Sequence, residues 1–302
     1  MKKLFYIFII FSLTAVSCQK ELELDFPDIE PRLVVNCFFS PDSLFKVRVG
    51  KLLSVNDSVT PFIIEDAECE IYENGTFAEN LQYSENGFYN SQTLKAKSGF
   101  IYSIKVKHPD FPEVSATDTA PFPVTVSEEY FELNAFYDAL DEAHKNELFI
   151  RFTDNSSQKN YYLLSIEEKF VENNPRYILF EKSNDYTLQY TDLLEYRPYS
   201  IPFSDNFFNG QEYLVSVYYK LSQFSSDGTY NSHDLYVHFN SISYQFHEYT
   251  KYMILHVRNR ESDIFEGIGD PIQMYSNIEN GYGIFAAYCP RTDTLHYERD
   301  WK

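Results

Sequence analysis

The feature that most constrains this chain is a period of two. Phe45, Val47 and Val49 alternate with Lys46 and Arg48, and Ala67, Cys69 and Ile71 alternate with Glu68, Glu70 and Tyr72. Successive side chains of an extended strand point to opposite faces, so each run describes a strand with one face buried. Between Pro31 and Ala120 such runs recur at short intervals, separated by turn signals such as Pro41-Asp42 and Asn74-Gly75. The pattern predicts a mainly β fold whose residues 31–120 form an immunoglobulin-like or transthyretin-like sandwich.

Pro121-Phe122-Pro123 marks a boundary, because two prolines stiffen the chain and remove ladder donors. Residues 124–302 read as a larger β-rich domain. Its strands include Leu148, Ile150 and Phe152, then Tyr162, Leu164 and Ile166, then Tyr213 to Leu221, and Leu235, Val237 and Phe239. The period changes once. Apolar residues at Ile242, Phe246, Tyr249, Met253 and Val257 fall on one face of a helix near 242–257, with Ser241 or Ser243 as its cap.

The first 17 residues, MKKLFYIFIIFSLTAVS, have the two lysines, short apolar stretch and small residues of an export signal. The apolar run is too short for the ~20 residues of a membrane-spanning helix. Ala15 and Ser17 ahead of Cys18 resemble a bacterial lipobox, which makes 1–17 a lipoprotein signal peptide and Cys18 the lipidated mature N-terminus. Residues 18–30, rich in Glu and Asp, form an acidic tether. Removing Lys2 and Lys3 takes the net charge from -20 to about -22. That balance, without a cluster of Lys and Arg, argues against nucleic-acid binding. Intrinsic disorder is excluded by 27 Phe and 26 Tyr in a chain of 302 residues.

Sequence motifs for chemistry are absent. There is no G-x-S-x-G elbow, no phosphate-binding Gly-Lys loop, no H-E-x-x-H pair and no C-x-x-C. Glu128-Glu129, Asp141-Glu142 and Glu167-Glu168 read as solvated surface, since strand neighbours face opposite ways. His233, His238, His247 and His256 do not suggest a metal site, and no catalytic residue, metal or cofactor is assigned. Cys37 and Cys69, both in strands, would form either a disulfide or two separate buried thiols. Most aromatics serve the cores. Those in turn-rich polar stretches, Tyr186, Tyr190, Tyr196, Tyr199, Phe203, Phe207 and Phe208 with Tyr230 and Tyr282, are the candidates for a ligand- or partner-binding face.

The lipobox cysteine, the Leu33-Val34-Val35 strand, the Gly87-Phe88-Tyr89 and Gly99 to Val106 pair, the capped helix with Tyr249 and Tyr252, and the Ser276-Asn277-Ile278-Glu279-Asn280-Gly281-Tyr282-Gly283-Ile284-Phe285 stretch resemble the Bacteroidota lipoproteins catalogued as domain of unknown function 4249. The acidic tether is similar to their surface-export signals. The resemblance implies an outer-membrane lipoprotein, lipid-anchored and facing the cell exterior, that partners a TonB-dependent transporter as a non-enzymatic accessory or ligand-capture protein. A structural or adhesive surface protein is the alternative reading, ahead of a glycan or peptide hydrolase.

Overall fold

The alternating runs become strands whose two faces meet different surroundings. The structure, a computed structural model, describes residues 30–52, 62–169, 175–220, 233–261 and 272–297. In the first half, β1 (Leu33–Phe39), β2 (Leu44–Lys51), β5 (Gln82–Tyr83) and β6 (Phe88–Lys95) lie in one sheet, and β3 (Glu68–Glu73), β4 (Thr76–Asn80), β7 (Ile101–His108) and β8 (Phe111–Thr119) in another. Phe45, Val47 and Val49 of β2 meet Cys69 and Ile71 of β3 and Tyr102, Ile104 and Val106 of β7 in one apolar core. The protein is mainly β, and this half is a sandwich.

A second core forms between the sheet β13 (Phe180–Lys182), β15 (Glu212–Tyr219), β10 (Ala143–Thr153), β9 (Thr125–Asp138) and a facing group of strands. The facing group comprises β12 (Pro175–Tyr177), β11 (Tyr161–Lys169), β14 (Ser200–Ser204), β16 (His233–Ile242) and β18 (Thr292–Tyr297). Leu148, Ile150 and Phe152 face Tyr162, Leu164 and Ile166 in this core, with Val215, Val217 and Leu235. Two short helical pieces, α1 (Tyr186–Gln189) and a 3-10 turn (Leu194–Tyr196), interrupt the chain between β13 and β14.

The helix, α2, spans Tyr244–Glu261. Ile242 is the last residue of β16, and Ser243 is the cap, its Oγ accepting from the Phe246 N–H at 3.2 Å. The Ser241 hydroxyl donates instead to the Phe122 carbonyl at 2.7 Å. Phe246 and Tyr249 pack edge-on against Phe38 of β1, at 4.9 and 5.5 Å between ring centres, whereas Met253 and Val257 are exposed. The apolar stripe is therefore used only over its first turns.

The strand β17 (Tyr282–Cys289) joins the two halves across the Pro121–Pro123 boundary. It lies parallel to β1, with Val35 opposite Gly283 and Cys37 opposite Phe285, and gives Phe285 and Ala287 to the first core. On its other side β16 pairs with it only at Tyr288 and Cys289. Side chains replace the missing strand. The Asn277 amide accepts from Phe285 N–H at 2.9 Å and donates to Phe285 C=O at 2.8 Å. The Asp118 carboxylate accepts from Ala287 N–H at 2.7 Å, and Ala287 C=O accepts from Ser243 N–H at 2.9 Å. The Ser276–Phe285 stretch is thus the clasp of the fold.

Cys37 and Cys69 lie in facing sheets of the first core, each a free, buried thiol, so the disulfide alternative is not formed. Burial pushes both thiols up to about 12.

The clasp can be probed at two positions. Gly283 has φ +112°, and a Cβ there would sit 2.1 Å from the Val35 carbonyl oxygen. Gly283→Ala should cost ~3 kcal/mol or more of stability, and an unchanged urea midpoint would refute the close approach. Burial also pushes the Asp118 carboxyl from 3.8 up to about 7. Protons then bind the folded state more tightly than the unfolded one, so this stabilisation is full below pH about 4 and is lost as pH rises through about 7. Asp118→Asn keeps an acceptor for Ala287 and should flatten the fall in unfolding free energy across that window, measured by urea titration at a series of pH values.

Candidate functional site

The loop between β13 and β15 carries most of the aromatic candidates and is held by buried polar groups. Asp185 caps α1, accepting from Thr187 N–H at 2.8 Å and Leu188 N–H at 3.2 Å, and its other oxygen accepts from Tyr213 Oη at 2.9 Å. Leu188 is fully buried beneath the turn. Tyr186 and Tyr190, one helical turn apart, consequently point outward. Further on, buried Asp205 pairs with Lys159 and accepts from Asn160 N–H at 2.8 Å, while Asp154, bonded to Tyr162 Oη, accepts from Gly210 N–H at 2.6 Å. These two aspartates fix the turn that presents Phe207.

The result is a cluster of three exposed rings. Tyr186, Tyr190 and Phe207 are 62%, 61% and 43% exposed, with Phe207 edge-on to Tyr186 at 4.8 Å and to Tyr190 at 5.1 Å. Tyr196 and Tyr199 are also exposed. Phe203 and Phe208 are corrected to core residues: they are not exposed on the loop but buried in the second core, although Phe203 also borders the cleft between the loop and α2. Phe203 sits in β14 opposite Tyr162, where alternation turns it inward, and Phe208 stacks on Tyr213 at 4.2 Å. Tyr282 belongs to β17, opposite Val34 in the first sandwich. Tyr230 and Cys18 lie outside the described residues.

Beside the ring cluster a cleft of about 190 Å³ opens between the loop and α2, with Tyr190, Ser204, Asn206, Phe207, His247 and Lys251 among its walls. His247 and Lys251 are one turn apart on the helix and face the loop together. His247 Nδ1 lies 3.0 Å from Glu248 Oε1, and burial holds the imidazole below its ordinary pKa, toward the neutral form.

A larger groove of about 560 Å³, invisible in the sequence, lies beyond the β9–β10 turn and is walled by Phe136, Leu140, Tyr218, Asp138, Lys182 and Arg197. Several of its charged groups are paired internally. Lys145, 1% exposed, bonds Asp141 at 2.5 Å and Glu181 at 3.2 Å; Arg197 also binds Glu181, and Lys182 binds Asp138 at 3.0 Å. Hydrogen bonds from Lys182 and Lys145 hold the Asp138 and Asp141 carboxyls below the usual range. These pairs tie the β9–β10 turn to β13.

Three acids expected at the surface are not solvated there, one of them Glu167, its side chain 19% exposed and 3.4 Å from His238 Nε2. Glu128 is exposed and bonded to Arg151 at 3.0 Å, but Glu168 is fully buried and Glu129 is half-buried beside Asp293 and Arg291. Burial, then the Asp293 charge, pushes the Glu129 carboxyl up to about 8. Alternation puts Asp293 opposite Val237, on the core side of β18, where it meets β9. Among the described residues no group of three or more His, Cys, Asp or Glu is placed to hold a metal ion, and no helix is long and apolar enough to cross a membrane.

No curated protein matches the chain. Among solved structures it is similar to a protein from Corynebacterium diphtheriae described as membrane anchored, at 10% identity and a TM-score of 0.22, over 71% of this chain and 55% of that one. The chain thus spans about half the length of that protein. A family model described as domain of unknown function (DUF4249) matches residues 19–294, nearly the whole chain, and the protein belongs to that family.

Proposed function

We propose that the protein is a lipoprotein anchored through Cys18 in the outer membrane, facing the cell exterior, that serves a TonB-dependent transporter as a non-enzymatic accessory or ligand-capture partner. The observation that carries this reading is the ring cluster of Tyr186, Tyr190 and Phe207, three large side chains held in water, the tyrosines by a helical turn that Asp185 caps and Phe207 by a turn that buried Asp154 and Asp205 fix. Exposed aromatic surface on a rigid loop is costly for a folded domain unless something binds it. The lipobox and the acidic residues 18–30 supply the address. Capture, rather than chemistry, suits a loop whose Asp185, Arg197 and Asp205 are engaged in capping and pairing.

Two measurements test it. Cys18→Ala should move the protein from the membrane to the soluble fraction and abolish incorporation of labelled fatty acid; retention of both would remove the anchor from the reading. Affinity purification of the tagged wild-type chain from detergent-solubilised outer membranes should recover a TonB-dependent transporter in stoichiometric amount. Repeated recovery of the lipoprotein by itself would overturn the partnership.

A further inference from the structure

The cleft between the aromatic loop and α2 differs from the rest of the molecule in charge. The chain carries 45 acidic residues against 25 basic ones, yet among the described residues none of the side chains lining this cleft is acidic. Lys251 projects from α2 into it and makes no ion pair or hydrogen bond among the described residues. The neighbouring cation, Lys159, is engaged by Asp205 and by the side-chain carbonyl oxygen of Asn206 at 2.5 Å, which leaves the Asn206 amide nitrogen free to donate. An unpaired ammonium beside an amide donor, with no carboxylate among the described walls and the adjacent Glu248 and Asp205 carboxylates taken up by His247 and Lys159, is a seat for an anion.

The other walls restrict which anion. Phe207 and Tyr190 supply apolar ring surface, suited to the C–H face of a flat or puckered ring. His247 turns Nδ1 toward Glu248; a carboxylate partner fixes the proton on that nitrogen, so Nε2 is left as an acceptor. An acceptor next to an anion seat matches a ligand that bears a hydroxyl as well as a carboxylate. Ser204 Oγ adds a group that can donate or accept. At about 190 Å³ the space is below the ~300–1,000 Å³ typical of sites for drug-sized molecules, which limits the occupant to a single ring.

We infer that this cleft binds a hexuronate, a sugar ring carrying a carboxylate, with the carboxylate on Lys251 Nζ, the ring against Phe207 and Tyr190, and a ring hydroxyl donating to His247 Nε2. The inference rests on the capture reading above and names its ligand class. A benzoate-type anion would satisfy Lys251 and the rings but leave the His247 acceptor, the Asn206 amide and Ser204 without partners, which is the source of selectivity against it.

The test is isothermal titration of the purified mature chain with D-glucuronate, D-glucose and benzoate at constant ionic strength. Glucuronate should bind at least about tenfold more tightly than either competitor, the discrimination expected of one charge-assisted hydrogen bond. Lys251→Met should erase the preference over glucose without shifting the melting temperature, because the side chain holds nothing in place. Phe207→Ala should weaken glucuronate and glucose alike. Equal binding of glucuronate and glucose, equal binding of benzoate, or no binding of glucuronate at a concentration on the order of 10 mM would each overturn the assignment. If a transporter still co-purifies when glucuronate fails to bind, the ligand class is wrong and the partnership stands; if glucuronate binds and no transporter is recovered, the partnership falls and the ligand class stands.

Discussion

A strand that must pair on both sides but has a strand neighbour along only part of one side imposes the main constraint on this molecule. β17 runs parallel to β1 along Val34 to Phe39, and β16 reaches it only at its end. Backbone groups at Phe285 and Ala287 would otherwise be buried without partners, at a cost of about 1–3 kcal/mol each. Asn277, Asp118 and the backbone of Ser243 take the place of the missing strand. Each comes from a different part of the chain: Asp118 from β8, Ser243 from the start of α2, Asn277 from the approach to β17. The arrangement therefore fixes the helix and the second sandwich relative to the first, although two separate apolar cores exist.

That fixation reaches the candidate site through α2. The helix packs on β17, β14 and β11, so the face bearing His247 and Lys251 is set by the same clasp that holds Ser243. The loop on the opposite side of the cleft is set independently, by Asp185 under Tyr213 and by Asp205 under Asn160. A cleft between two separately anchored walls retains its shape in the absence of ligand, which lowers the ordering cost of binding. The larger groove near Lys145 is built differently. Its Lys145, Asp138, Asp141 and Glu181 hold the β9–β10 turn, and a buried cation between two carboxylates is better explained as a specific tie than as a waiting ligand seat.

What is legible in the sequence is what depends on near neighbours. Alternation places Phe45, Val47 and Val49 inside, and likewise Leu148, Ile150 and Phe152, because a strand's two faces differ whatever it pairs with. The helix is visible from its spacing, but that spacing also takes in Ile242, since strand and helix register coincide at the junction. Exposure within the aromatic loop is only half legible. Tyr186 and Tyr190 sit on a turn capped locally by Asp185, whereas Phe203 is buried because β14 pairs with β11, about forty residues earlier. The Glu129–Asp293 and Lys145–Glu181 contacts join residues with no sequence relation at all, and the parallel partner of β1 lies at the other end of the chain.

Net charge needs the same separation into local and global parts. A chain of net charge -20 repels an approaching anion, which at long range opposes a uronate site. At physiological ionic strength, however, charges beyond about 8 Å are largely screened, so the acids distributed over two sandwiches matter less to a bound carboxylate than the groups that line its cleft. There, among the described residues, Lys251 is unpaired and no acid is among the walls, while the two nearby carboxylates, Glu248 and Asp205, are taken up by His247 and Lys159. The global charge then acts on encounter and the local charge on retention: anions lacking ring and hydroxyl contacts gain too little from Lys251 to remain, and an acidic sugar that makes all three is held. An acidic chain with a cleft whose described walls bear no acid is thus a selective arrangement rather than a contradiction.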